Sequence, residues 1–96
     1  MEWVSLHTAG TRGSEGGVIL RDAEYAQSCR ITLERCEQYD AVTCGIYGAM
    51  AHTAFADPAN SLQMYLAMQQ ELQAFLERDT SPDEELAFYE QFCIKY

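Results

Sequence analysis

Apolar and polar residues alternate with a period of two through the first half of the chain and with a helical period through the second. In "EWVSLHT", residues 2–8, Val4, Leu6 and Thr8 share one parity and Trp3, Ser5 and His7 the other, the mark of a strand with two unlike faces. The glycine-rich "AGTRGSEGG" then breaks the pattern, and "VILRDAEY" from Val18 predicts a second strand that ends near Asp22. "SCRITLERC" is the clearest alternation: Cys29, Ile31 and Leu33 face one way, and Arg30, Thr32 and Glu34 the other. That is the half-buried pattern of an antiparallel sheet.

The run "DAVTCGIYGAMAHTAFA", residues 40–56, predicts a fourth strand. Val42, Cys44, Ile46, Gly48 and Met50 form its core face, and Thr43, Gly45, Tyr47, Ala49 and Ala51 its outer face. It exceeds the usual strand of about 5 to 6 residues, so a bend or bulge is expected near Gly45 or Gly48. From Asp57 the period becomes helical. Asp57 before Pro58 is the expected start, with Asn60 or Ser61 as the other possible cap. Leu62, Tyr65, Met68, Leu72, Phe75 and Leu76 form the apolar stripe of a helix that ends near Arg78. "SPDE" is a capping box that starts a second helix, with Ser81 as cap and Glu84 at its third position. Its expected stripe is Leu86, Tyr89, Phe92, Cys93 and Tyr96. Strands first and helices afterwards predict one α+β domain over residues 1–96: a four-stranded antiparallel sheet with two C-terminal helices on one face.

Charge narrows the partners. With 15 acidic and 6 basic residues among 96, the formal charge is -9, which repels nucleic acid and anionic lipid. Beyond residue 56 only Arg78 and Lys95 are basic, so the C-terminal part is the acidic part. No apolar run reaches the about 18 residues of a membrane span, and "MEWV" lacks the basic start of a signal peptide, so neither membrane nor secretion is expected. Cys29, Cys36, Cys44 and Cys93 include no Cys-x-x-Cys pair and match no zinc spacing. Four free thiols in a cytoplasmic protein, with no metal and no cofactor, are the expectation.

Candidate chemistry is sparse. "GTRGSEGG" lacks the Gly-Lys-Ser/Thr ending of a phosphate loop and leads into a strand, so it is expected to be a mobile hairpin connection. Cys44 and His52 would form a nucleophile and base only within hydrogen-bond reach, and a continuous strand separates them by roughly 26 Å. A Cys29–Cys44 bridge needs a two-residue turn of Cys36 and Glu37, which suit it poorly; a longer turn sets Cys44 opposite Leu33 or Ile31.

The most informative set is the second sheet face, which alternation fills with Trp3, Ser5, His7, Ile19, Arg21, Arg30, Thr32, Glu34, Thr43, Gly45 and Tyr47. Trp3, His7, Arg21, Arg30 and Tyr47 are its candidates for an interface or ligand site. Aromatics and arginine are enriched at interface centres, arginine offers a planar fork to carboxylate or phosphate, and Gly45 permits close approach. The expected function is a small binding or regulatory module. It is expected to act as a homodimer through or around this face, with a small anionic ligand or a protein partner as the secondary expectation. The competing expectations are an enzyme with an acid-base pair such as His7 and Glu34, and an acidic inhibitor or immunity-type protein that binds a basic partner.

Overall fold

The computed structural model describes residues 2–96. Five strands, β1 (Trp3–Ser5), β2 (Val18–Tyr25), β3 (Cys29–Arg35), β4 (Asp40–Ile46) and β5 (Met50–Ala56), form one antiparallel sheet in chain order, followed by α1 (Ser61–Leu76) and α2 (Pro82–Lys95). The architecture is the expected α+β one, with both helices on one face, but the sheet has five strands and not four. The long fourth run folds back on itself at Tyr47, Gly48 and Ala49. Gly48 adopts φ +76°, and the Ala49 N–H donates to the Ile46 carbonyl at 2.9 Å. A left-handed residue at this position turns the chain at little cost only because glycine has no Cβ.

The hairpin keeps the parity of its residues. Val42 pairs with Ala54, Cys44 with His52 and Ile46 with Met50, so all six side chains point to the helix side. On β3 the same face carries Cys29, Ile31 and Leu33, opposite Ile46, Cys44 and Val42. The turn between β3 and β4 is therefore the longer one, and Cys44 lies across from Ile31.

The helix α1 lies over β3, β4 and β5 and buries Tyr65, Met68, Leu72 and Phe75 against them. Its cap is Asn60, three residues beyond Asp57, while Leu62 lies outside the packed stripe. The capping box of α2 is present in full: the Glu84 N–H donates to Ser81 Oγ and the Ser81 N–H to Glu84 Oε1, both at 3.2 Å. The stripe of α2 is shifted from expectation, because Leu86 is exposed and Phe88 stacks on Phe75 with ring centroids 4.0 Å apart. Phe92 is the buried anchor of α2, edge-on to the His52 ring.

Two departures in β1 and β2 reassign the sheet faces. Trp3 pairs with Tyr25 and Ser5 with Ala23, which places Trp3 and Ser5 on the helix side. There the Trp3 Nε1–H donates to Gln73 Oε1 of α1 at 2.9 Å, and its ring packs on Tyr25. In β2 the register with β3 slips between Ile19 and Arg21. This bulge at Leu20 turns Ile19 to the open face and Arg21 to the helix side, although plain alternation gives them one face. Among the described residues no helix is long and apolar enough to cross a membrane.

Candidate functional site

The open face of the sheet is not bare. After β1 the chain runs back over it: the Gly10 N–H donates to the Ile19 carbonyl, the Ile19 N–H to the Thr11 carbonyl, and Arg12 bridges to Val18. This brings residues 10–17 against the end of β3. Glu34, on the polar parity of that strand, is wholly buried under the loop. Its carboxylate accepts the Gly17 N–H at 2.8 Å and the Glu15 N–H at 3.2 Å. A Cβ at Gly13 would lie 2.6 Å from the same carboxylate, so glycine there is what lets the backbone close over it. The glycine-rich segment thus cradles an anion with its amides, as such loops can, but the anion is the protein's own Glu34. It is a bonded flap rather than a loose connection.

Toward the centre of the face, Asp22 is the organising charge. Its side chain is fully buried and accepts from Arg30 Nε at 2.9 Å, Thr8 Oγ1 at 2.7 Å and Thr32 Oγ1 at 2.9 Å. Burial alone would raise this carboxyl, yet the hydrogen bonds from Arg30, Thr8 and Thr32 outweigh it and hold Asp22 below the ordinary 3.8. Arg30 keeps 46% of its side chain exposed, so it is pinned at one edge and open at the other. Tyr47, half-exposed in the β4–β5 turn, donates its hydroxyl to Glu24 Oε2 at 2.6 Å, and that bond, with burial second, pushes its pKa up to about 12.

Between flap and sheet lies a groove of about 420 Å³, with Arg12 and Ser14 on the flap and Arg30, Thr32, Thr43 and Tyr47 on the sheet side. Gly45 also lines it, and the nearest atom to a Cβ built there would be the Met50 carbonyl oxygen at 3.3 Å. The volume lies within the usual range for a small-molecule site, about 300 to 1,000 Å³. Arg12 donates to the Gly16 carbonyl at 3.3 Å and enters no ion pair among the described residues.

Of the five candidate residues, the structure brings Arg30 and Tyr47 together at this groove. Trp3 and Arg21 lie on the helix side, because of the register of β1 and the bulge in β2. His7 sits in the exposed link after β1 with φ 57°, its N–H bonded to Ser5 Oγ, and does not line the groove. Both Glu34 oxygens are taken up by backbone amides, so Glu34 is no free base for His7. Arg12 and Ser14 were missing from the candidate set. The signal for them was Glu34 itself, an acid near the end of a strand in a chain whose glycine-rich segment has amides in need of an acceptor.

The β4–β5 hairpin also overturns the separation of Cys44 from His52, which are direct cross-strand neighbours on the helix side. The pair is nevertheless unsuited to nucleophilic chemistry. Burial, with smaller effects from Cys29 and Cys93, pushes the Cys44 thiol up to about 12, and His52 Nε2 is buried without a hydrogen-bond partner. All four cysteines are free. Among the described residues no group of three or more His, Cys, Asp or Glu side chains is placed to hold a metal ion. No protein-family model, no curated protein and no solved structure matches this chain.

Proposed function

We propose that the protein is a small binding module whose site is the groove on the open sheet face, and that its ligand carries a carboxylate or phosphate group. The observation that carries this reading is the position of Arg12. In a chain of charge -9, one of few cations stands on a glycine-bordered flap without a carboxylate partner, across a groove from the exposed edge of Arg30. A guanidinium in that setting offers unspent donors, and a planar fork matches an oxyanion in two points. The hydroxyl of Ser14 supplies a neutral donor beside it, while the Thr32 hydroxyl is spent on Asp22 and that of Thr43 is paired with Thr53; Gly45 leaves the floor flat for a ligand's body. Asp22 compensates the charge of Arg30, so the positive charge left over at the groove is that of Arg12, which has no such partner among the described residues.

Titration of the 15N-labelled protein with inorganic phosphate tests the reading. Shifts are expected at the amides of Gly13, Ser14, Gly45 and Tyr47, weakening as salt is added. Arg12→Ala should lower the affinity about tenfold, the loss of roughly one charge-assisted hydrogen bond. Equal shifts in wild type and Arg12→Ala, or shifts confined to other surfaces, would remove the groove as an anion site.

A further inference from the structure

The sheet ends in two unlike edges. β1 is a three-residue strand that leads at once into the flap, whereas β5 runs seven residues, "MAHTAFA", with no strand beyond it among the described residues. Natural proteins guard such an edge with a charged residue, a proline, a bulge or extreme shortness, since its outward N–H and C=O groups otherwise invite another strand. β5 has none of these guards. It contains no charged residue and no proline, and its pairing with β4 runs from Asp40↔Ala56 to Ile46↔Met50 without a register shift.

We propose that β5 is the homodimer surface, pairing antiparallel with β5 of a second copy about a twofold axis at Thr53. Three observations select a second copy as the occupant. First, this register pairs all seven residues, and in it each large side chain meets a small one: Met50 faces the partner's Ala56, Phe55 the partner's Ala51 and His52 the partner's Ala54. Both members of every pair lie on the same sheet face, as an isologous contact requires. Secondly, Phe55 and Tyr39 form an exposed edge-to-face pair beside this strand. Apolar area of that kind gains from cover. Thirdly, the charges near the seam do not oppose it. Asp57 falls opposite the partner's Ala49, and Asp40 on the adjacent strand is already bound by Arg35 at 2.6 Å. In a chain of charge -9, this is a rare uncharged stretch where two copies can meet without facing acids.

This surface is separate from the flap groove, and salt distinguishes the two. Salt weakens an anion held by Arg12 but strengthens association of two chains of like charge. Sedimentation velocity on the full chain at tens of micromolar should show a dimer whose population rises with salt. Thr53→Lys sets two like charges face to face at the axis and should weaken association by about tenfold or more. Val4→Lys, on the opposite edge, should leave it unchanged. Hydrogen exchange on the wild type gives a second measurement that needs no variant: β5 amides should gain protection as concentration rises. A monomeric wild type overturns the proposal, as does a dimer whose β5 amides exchange alike at all concentrations. A well-folded Thr53→Lys protein that still dimerises overturns it as well.

Discussion

Cys44 shows how one residue's surroundings decide its chemistry. Its thiol has a histidine for a cross-strand neighbour, the pairing that activates many nucleophiles, yet it lies in the core with Ile31, Leu72 and Phe92 and stays protonated up to about 12. Cys29 shares that burial and a pKa of about 12. Cys36 and Cys93 are only partly covered. Brief treatment of the folded protein with iodoacetamide near pH 8 should therefore modify Cys36 and Cys93 first and spare Cys29 and Cys44, whereas denatured protein should take up four labels. Early labelling of Cys44 in the folded state would mean that His52 does activate it. At the same scale, Glu34 shows why polar parity alone misleads, since it lies on the outward face of its strand and is buried by chain that returns from elsewhere; Asp22, which plain alternation sets on the inner face, is turned outward by the bulge and covered in the same way.

At the scale of elements, the signals that worked were local ones. The α2 start was legible because a capping box is closed by atoms three residues apart, and the observed bonds between Ser81 and Glu84 are those the spacing requires. Ser81→Ala should cost about 0.5 to 2 kcal/mol, read as a lower denaturation midpoint. An unchanged midpoint would show that α2 does not depend on its cap. For the complementary reason, the β4–β5 hairpin departs from the single strand that the pattern predicts. A glycine inside an apolar run is compatible with a bend, a bulge or a full reversal, and local sequence does not choose among them. The choice follows from pairing, because reversal at Gly48 stacks Ala54, His52 and Met50 beside Val42, Cys44 and Ile46 on one continuous face.

For the whole molecule, two buried aspartates tie the sheet to its surroundings. Asp22 joins β2, β3 and the chain after β1; Asp40, at the start of β4, joins the end of β3 to α1 through Arg35 and Ser61 Oγ. Burial raises each carboxyl, and the hydrogen bonds lower each by more, so both titrate below the ordinary 3.8 when folded. The sign of the linkage follows. The unfolded chain takes up protons at higher pH than the folded one, so these groups stabilise the fold above pH ~4 and cease to do so as pH falls through their folded values. Acidification also relieves the repulsion of a -9 chain, an opposing effect that about 0.15 M salt largely screens. In that salt the urea midpoint should fall between pH 4 and pH 2, and the fall should be shallower in Asp40→Asn. A midpoint that rises on acidification would show that net charge outweighs the two buried networks.

By itself the sequence determined the elements and their inner faces wherever a side chain's role is set within a few residues: Cys29, Ile31 and Leu33 on β3, Val42, Cys44 and Ile46 on β4, the α1 stripe through Tyr65 to Phe75, and the cap of α2. Arg30 and Tyr47 were legible as outward residues on the same grounds. Only the tertiary structure decided which strand Met50 to Ala56 belongs to, which side Trp3 and Arg21 face, and that Arg12 and Ser14 reach across the sheet to complete a groove. The physical reason is the range of the forces involved. Alternation and capping are satisfied by neighbours in the chain, whereas register, a bulge at Leu20 and a flap closed on Glu34 are settled by hydrogen bonds between residues far apart in sequence, Glu15 and Glu34 among them at 19 positions.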